Sequence, residues 1–171
     1  MKNLKKSLSL VLFFLASVAV YAQKASPAKT ATGKIGEATI TIAYSSPSVK
    51  ERKIWGELVP YGKIWRAGAN GVTTFETDKA IKVEGKELPA GKYSIYILPT
   101  ATEWTIIFNS QVGQWGITRA GETTNDPTKD VLKVTVKPVA AKDFHESLLY
   151  AVDNKGFSIS WEKLTVPVKV K

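Results

Sequence analysis

Cysteine is absent from the 171 residues and histidine occurs once, as His145. Without cysteine there is no disulfide, no zinc site of the usual Cys/His kind and no lipid attachment through a cysteine after a leader. A single imidazole limits any Ser-His-acid array to His145, and no Gly-x-Ser-x-Gly elbow accompanies it. No repeat, low-complexity tract or long amphipathic helical pattern occurs. Lysine and arginine are plentiful but strewn singly, whereas nucleic-acid binders gather them on one face. That spacing speaks for a solvated surface and against nucleic acid as a partner.

The N-terminus has a recognisable design. Lys2, Lys5 and Lys6 precede an apolar run over residues 8–20, and Val20-Tyr21-Ala22 offers small residues where a signal peptidase reads. The run falls short of the roughly 20 apolar residues of a membrane span and is broken by Ser9 and Ser17. Residues 1–22 are therefore expected to be a signal peptide, and the mature protein to be periplasmic or extracellular, with no transmembrane segment and no lipid anchor. Removing 22 of 171 residues leaves 149, and losing three lysines lowers the net charge from +9 to +6. A domain of that size buries about 70% of its unfolded-chain surface and needs no staple. The surplus positive charge leaves room for an anionic envelope partner.

Residues 23–34 are small, polar and without period, which predicts a flexible leader. Residues 35–171 then alternate apolar and polar positions in short runs, the pattern of half-buried strands. Ile40/Ile42, Tyr93/Ile95/Ile97, Trp104/Ile106/Phe108, Leu132/Val134/Val136 and Phe157/Ile159/Trp161 each mark one face, and Leu164, Val166, Val168 and Val170 close the chain. Glu84-Gly85, Pro89-Ala90-Gly91, Asp126-Pro127 and Asp153-Asn154-Lys155-Gly156 supply the turns. Eight or nine such strands predict an all-β domain, a two-sheet antiparallel β-sandwich of jelly-roll or immunoglobulin-like order. Pro167 places the last strand at a sheet edge.

Residues 45–71 break the alternation. Ser48 and Glu51 have capping-box spacing, which predicts a short helix or helical turn over residues 49–58, ended by Pro60 and Gly62. A long irregular connection with two tryptophans is usually functional. Here and beyond, the chain resembles a known family of exported bacterial proteins, the domain of unknown function 2911. The resemblance is carried by Ser46-Pro47-Ser48-Val49-Lys50, by the unbroken run from Trp55-Gly56-Glu57-Leu58 to Gly68-Ala69-Asn70, and by Thr73-Thr74-Phe75, Leu88-Pro89-Ala90-Gly91-Lys92-Tyr93-Ser94, Trp104-Thr105-Ile106-Ile107-Phe108-Asn109 and Gln114-Trp115-Gly116. It implies no activity. The family pattern more often has glycine at Glu51, which implies a turn there.

Candidate chemistry gathers in the same loop. Arg66 offers a planar five-donor fork for a carboxylate or phosphate, and Asn70 donates and accepts. Trp65, Trp115 and Tyr61 offer flat faces, and Glu76 completes the candidate ligand-binding set. Two readings stay open: a ligand site, or packing in which Trp55 and Trp65 plug the domain and Arg66 pairs with a buried acid such as Glu76. Asn125, Asp126 and Asp130 are the only loose calcium candidates and read better as a polar turn. Glu57, Glu76, Glu103 and Glu146 show no spacing that pairs them for glycoside hydrolysis. The sequence thus calls for no metal, no cofactor and no catalytic residue. The expected function is a non-catalytic binding module for a glycan, peptide or small anionic ligand. A structural envelope protein is the alternative, and a hydrolase the more distant one.

Overall fold

The computed structural model describes residues 26–171, so the expected signal peptide lies outside the described residues. Ten strands follow: β1 (Ala28–Ile35), β2 (Ala38–Ser45), β3 (Thr74–Thr77), β4 (Ile81–Val83), β5 (Lys86–Leu88), β6 (Gly91–Pro99), β7 (Trp104–Asn109), β8 (Asp130–Val136), β9 (Val139–Asp153) and β10 (Gly156–Lys169). The domain is all-β, with antiparallel pairing throughout. Among the described residues, no helix is long and apolar enough to cross a membrane.

Six strands make one sheet in the order β1-β2-β3-β6-β7-β8, a meander interrupted only by the β4–β5 hairpin. The hairpin turns on Glu84 and Gly85, both at positive φ, as a tight two-residue turn requires. It continues the β9–β10 ribbon on the opposite side: Val83 bridges Val170, and Lys82 and Lys171 exchange backbone hydrogen bonds of 2.7 and 2.9 Å. The alternating residues meet between these layers. Phe75 on β3 packs edge-on against Phe108 on β7 (5.2 Å) and tilts against Phe157 on β10 (5.5 Å). Ile40, Ile42, Ile95, Ile97 and Ile106 are fully buried beside them. Burial of each such side chain contributes about 1.5–3 kcal/mol.

Two sequence expectations are corrected. The leader predicted over residues 23–34 is strand from Ala28 onward, paired with β2 from Ala28↔Ser45 to Ile35↔Ala38. As an edge strand it is held by ladder hydrogen bonds, and its inward face is Ala31, Gly33 and Ile35, two of them too small to mark an apolar period. The helix predicted over residues 49–58 does not form. Lys50 and Glu51 take left-handed backbone angles (φ 48° and 58°), which no α-helix accommodates, and the segment is a chain of turns. The glycine preference at position 51 pointed to this turn. The one helical turn among the described residues is a 3-10 turn at Pro127–Lys129.

The β9–β10 ribbon folds back on itself. Register shifts between Ser160 and Leu164, with Glu162 at φ 55°, bend β10 so that its end passes over its start. Val170 N–H donates to Lys155 O at 3.0 Å, and the Ser160 and Thr165 hydroxyls meet at 2.9 Å. Gly156 sits at this crossing, where a Cβ would collide with the Val168 carbonyl. Gly156→Ala is expected to lose about 2 kcal/mol or more in urea denaturation, since backbone cannot yield like a side-chain tip. Gly36→Ala, at φ 60° with nothing within 4 Å of its added methyl, isolates the cost of backbone strain alone and should lose about 1 kcal/mol. Equal losses at the two positions would show that the crossing is not tightly packed.

Candidate functional site

The connection from β2 to β3 is irregular but pinned on both sides. Leaving β2, it pairs with β9: Leu148 N–H donates to Pro47 O (2.9 Å), Val49 N–H to Glu146 O (2.7 Å) and the Ser46 hydroxyl to Leu148 O (2.6 Å). Farther on it is sewn to β6, where Trp65 and Ile97 exchange backbone hydrogen bonds of 2.7 and 2.8 Å. Thr73 O then accepts from Ile95 N–H at 2.8 Å, continuing the ladder into β3.

Four of the five tryptophans meet beneath this connection. Trp55 lies 4.7 Å from Trp104 of β7, 5.8 Å from Trp161 of β10 and 6.0 Å from Trp65, and Trp65 stacks on Trp161 at 6.0 Å. The indole N–H groups of Trp55, Trp104 and Trp161 are buried without an oxygen acceptor. Trp55 meets Trp65 and Trp161 edge to face, so electron-rich indole faces are the weak acceptors on offer. The Trp65 N–H instead donates to Gly68 O at 3.2 Å, closing the turn that carries Arg66.

That turn is strained and held. Ala67 is fully buried at φ 59°, an unfavourable region for a residue with a Cβ. Its carbonyl accepts two hydroxyls, Thr73 Oγ1 at 2.8 Å and the Tyr150 phenol at 2.7 Å. Gly68 follows where the chain passes so close to Ser45 O and Thr73 Oγ1 that a Cβ would lie 3.2 and 2.8 Å from them. Asn70, at φ 56°, donates through Nδ2 to Ser26 O at 3.0 Å and ties the turn to the start of the domain.

Arg66 is thereby fixed at the surface. Its stem lies against Gly116, where an added Cβ would meet Arg66 Cβ at 3.1 Å. Its guanidinium sits 5.7 Å from the centroid of the Trp115 ring, a cation–π arrangement, and donates a long 3.4 Å hydrogen bond to Trp115 O. Among the described residues no carboxylate lies within salt-bridge distance of it. Partial burial strips water from the guanidinium and lowers its pKa below the ordinary arginine value, yet an arginine remains charged.

Arg66 and Trp65 line a cavity of about 920 Å³ between the loop, the floor at Trp161 and the turn at residues 117–123. Its other cations are Lys50, Arg52 and Lys63, its one acid is Glu122, and no histidine reaches it. The proposed residues thus divide. Trp65 and Arg66 belong to the cavity, Trp115 supports Arg66 from outside while 60% exposed, and Asn70 braces the rim. Tyr61 packs over Gly56 away from the lining. Glu76 does not pair with Arg66: it lies on the outer face of β3 and meets Lys92 of β6 at 3.5 Å, both exposed. Alternation on β3 turns Glu76 outward and Phe75 inward, which forbids the suggested buried pair. Lys50, Lys63, Ile117 and Trp161 escaped sequence reasoning, because only the fold brings these turns and a distant strand to one cavity.

The remaining polar clusters are structural. Asp126 caps the 3-10 turn, accepting from Thr128 N–H at 2.9 Å, and Asp130 accepts from Asn109 Nδ2 at 2.7 Å and pairs with Lys133 at 2.8 Å. Among the described residues no three His, Cys, Asp or Glu side chains gather as metal ligands.

Burial, reinforced by the adjacent Tyr44 phenol, drives the Tyr150 pKa far above the ordinary tyrosine value. The folded protein keeps this proton where the unfolded chain, with pKa about 10, releases it, so stability falls as pH rises past about 10. Tyr150→Phe removes the hydrogen bond to Ala67 O and is expected to cost about 1–2 kcal/mol at neutral pH. The deficit, followed by denaturation at successive pH values, should shrink above pH 10, because the variant has no hydroxyl there to ionise. A constant deficit would mean that the buried phenol is not the anchor of the Ala67 turn.

No curated protein and no solved structure matches the chain. A family model does, over residues 26–170, which spans β1 to the end of β10 and takes in the whole pinned loop with Arg66, Asn70 and Trp115. The chain therefore belongs to the family described as protein of unknown function DUF2911.

Proposed function

We propose that this is an exported, non-catalytic binding module that takes a small anionic ligand at Arg66. One observation carries the reading: an arginine clamped by Gly116 and Trp115, with no carboxylate partner among the described residues, on the wall of a 920 Å³ cavity with three further cations and one acid. An unpaired, partly desolvated guanidinium is costly, and an incoming carboxylate or phosphate relieves that cost through a bidentate, charge-assisted pair. Export is supported by the positively charged start, the apolar run and Val20-Tyr21-Ala22. A two-sheet β-sandwich is the scaffold that best accounts for the packing of Phe75 and Phe108 against Phe157. The strand order is a meander with an inserted hairpin, which favours neither a jelly roll nor an immunoglobulin-like order. The cavity lining offers no histidine, and its one acid is Glu122, which speaks against a hydrolase.

The burial of Trp55, Trp104 and Trp161 favours a purely structural reading of those three residues, and it extends to Arg66 only if Arg66 serves the fold. The variant Arg66→Met separates the two, since it keeps the stem on Gly116 and removes the charge. Because Trp115 is 60% exposed and lies against the guanidinium, anion binding should change tryptophan emission, and Trp115→Phe should remove the Trp115 share of the change. In titrations with small carboxylates and phosphates, Arg66→Met is expected to weaken binding by tenfold or more, about 1.4 kcal/mol or above, with a melting temperature close to wild type. A large drop in melting temperature with unchanged binding would favour the structural role.

A further inference from the structure

The cavity is too large and too apolar for a bare anion. Its floor and one wall are built from Val59, Ile64, Trp65, Ile117 and Trp161, with Leu58 at 44% exposure among the lining residues. A carboxylate or phosphate group fills a small part of 920 Å³, whereas cavities of about 300–1,000 Å³ hold drug-sized molecules largely by apolar contact. Among the described residues, the polar side chains of the lining are its four cations, Glu122, Ser26 and Thr123.

The cationic side is simpler than its four charges suggest. The Arg52 fork is already engaged, with Nε donating to Val49 O at 3.0 Å and an Nη to Ser48 O at 2.6 Å. Lys50 and Lys63 are exposed, where water and salt screen them. Arg66 alone is rigid and partly desolvated, with a single long hydrogen bond to Trp115 O. One strong anchor beside an apolar floor describes a ligand with one charged end.

We infer that the cavity takes an amphiphilic anion, a single carboxylate or phosphate head seated at Arg66 on an apolar body lying along Trp65, Trp161 and Ile117. This rests on the anion-binding reading of Arg66 and specifies the chemistry of the rest of the ligand. A fatty carboxylate and an alkyl phosphate share that chemistry.

Calorimetric titration below micellar concentrations tests it with acetate, hexanoate, octanoate and decanoate, with decyl phosphate, and with uncharged decanol. Affinity should rise by up to about fourfold for each methylene buried along the carboxylate series. Decanoate or decyl phosphate should exceed decanol by tenfold or more, and the better of the two identifies the head. Arg66→Met should bring the preferred anion down to the level of decanol. Leu58→Ser, at a position 44% exposed, should weaken decanoate and leave acetate unchanged. Acetate binding as tightly as decanoate, with loss in Arg66→Met, would overturn the amphiphile and leave the anion site standing. Decanol binding as well as decanoate, or no binding by any probe, would remove both.

Discussion

The tryptophan cluster is the constraint on which the rest of this structure depends. Trp104 belongs to the six-stranded sheet, Trp161 to the β9–β10 ribbon, and Trp55 and Trp65 to the loop that leaves β2. One packing event therefore fastens two sheets and the longest irregular segment together. Aromatic side chains bury about 150–250 Å² each, and tilted and edge-on pairs add about 0.5–1.5 kcal/mol beyond burial. This compensates for indole N–H groups that find no oxygen acceptor. It also explains how 28 residues between β2 and β3, without helix or strand, hold a fixed shape. The loop is nailed at Trp55 and stitched to β6 at Trp65.

From that nail the geometry of Arg66 follows. Trp65 is fixed on two sides, by Ile97 through the backbone and by Trp161 through its ring. The next residue must leave the sheet toward the surface, and the chain then reverses at Ala67 and Gly68 so that Thr73 can rejoin β6. Arg66 is a half-buried member between a half-buried aromatic and a buried turn. Its orientation is set by the fold itself, through the close approach of Gly116 and the Trp115 ring.

The strand pattern was legible because alternation reports one wet and one dry face. Ile40/Ile42, Ile95/Ile97, Ile106/Phe108 and Phe157/Ile159/Trp161 all turn inward. The signal failed where that condition failed. β1 is an edge strand with little buried surface, so its sequence resembles a leader. The capping-box spacing of Ser48 and Glu51 suggested a helix, but the backbone there answers to β9: Val49 N–H is taken by Glu146 O, and Glu146 Oε1 accepts Lys50 N–H at 3.0 Å. Tertiary hydrogen bonding outweighed a local cap. For the proposed site, the Trp-Arg-x-Gly-x-Asn run marked a loop whose Trp65 and Arg66 line one cavity and whose Arg66 meets Trp115. Tyr61 and Glu76 were assigned by chemistry alone, without knowledge of which face each strand or turn presents. The cations and apolar floor contributed by Lys50, Lys63, Ile117 and Trp161 are assembled only by the fold.

The strain in the Arg66 turn bears on whether this loop exists only to close the domain. A left-handed Ala67 costs about 1–2 kcal/mol, and a buried carbonyl there needs partners. Both are met by Thr73 and Tyr150, the latter a phenol brought from β9 into a fully buried position. Lys50, Glu51 and Asn70 of the same segment also take positive φ, but Ala67 does so while fully buried. Glycine stands beside it at Gly68, where close approach to Ser45 and Thr73 leaves no space for a Cβ, and the strain falls on its neighbour. The turn holds Arg66 against Gly116 and beside the Trp115 ring, with no carboxylate beside it among the described residues. Strained backbone supported from several sides is characteristic of places where a side chain must be aimed. Here the aimed side chain is a cation that the protein itself leaves unneutralised.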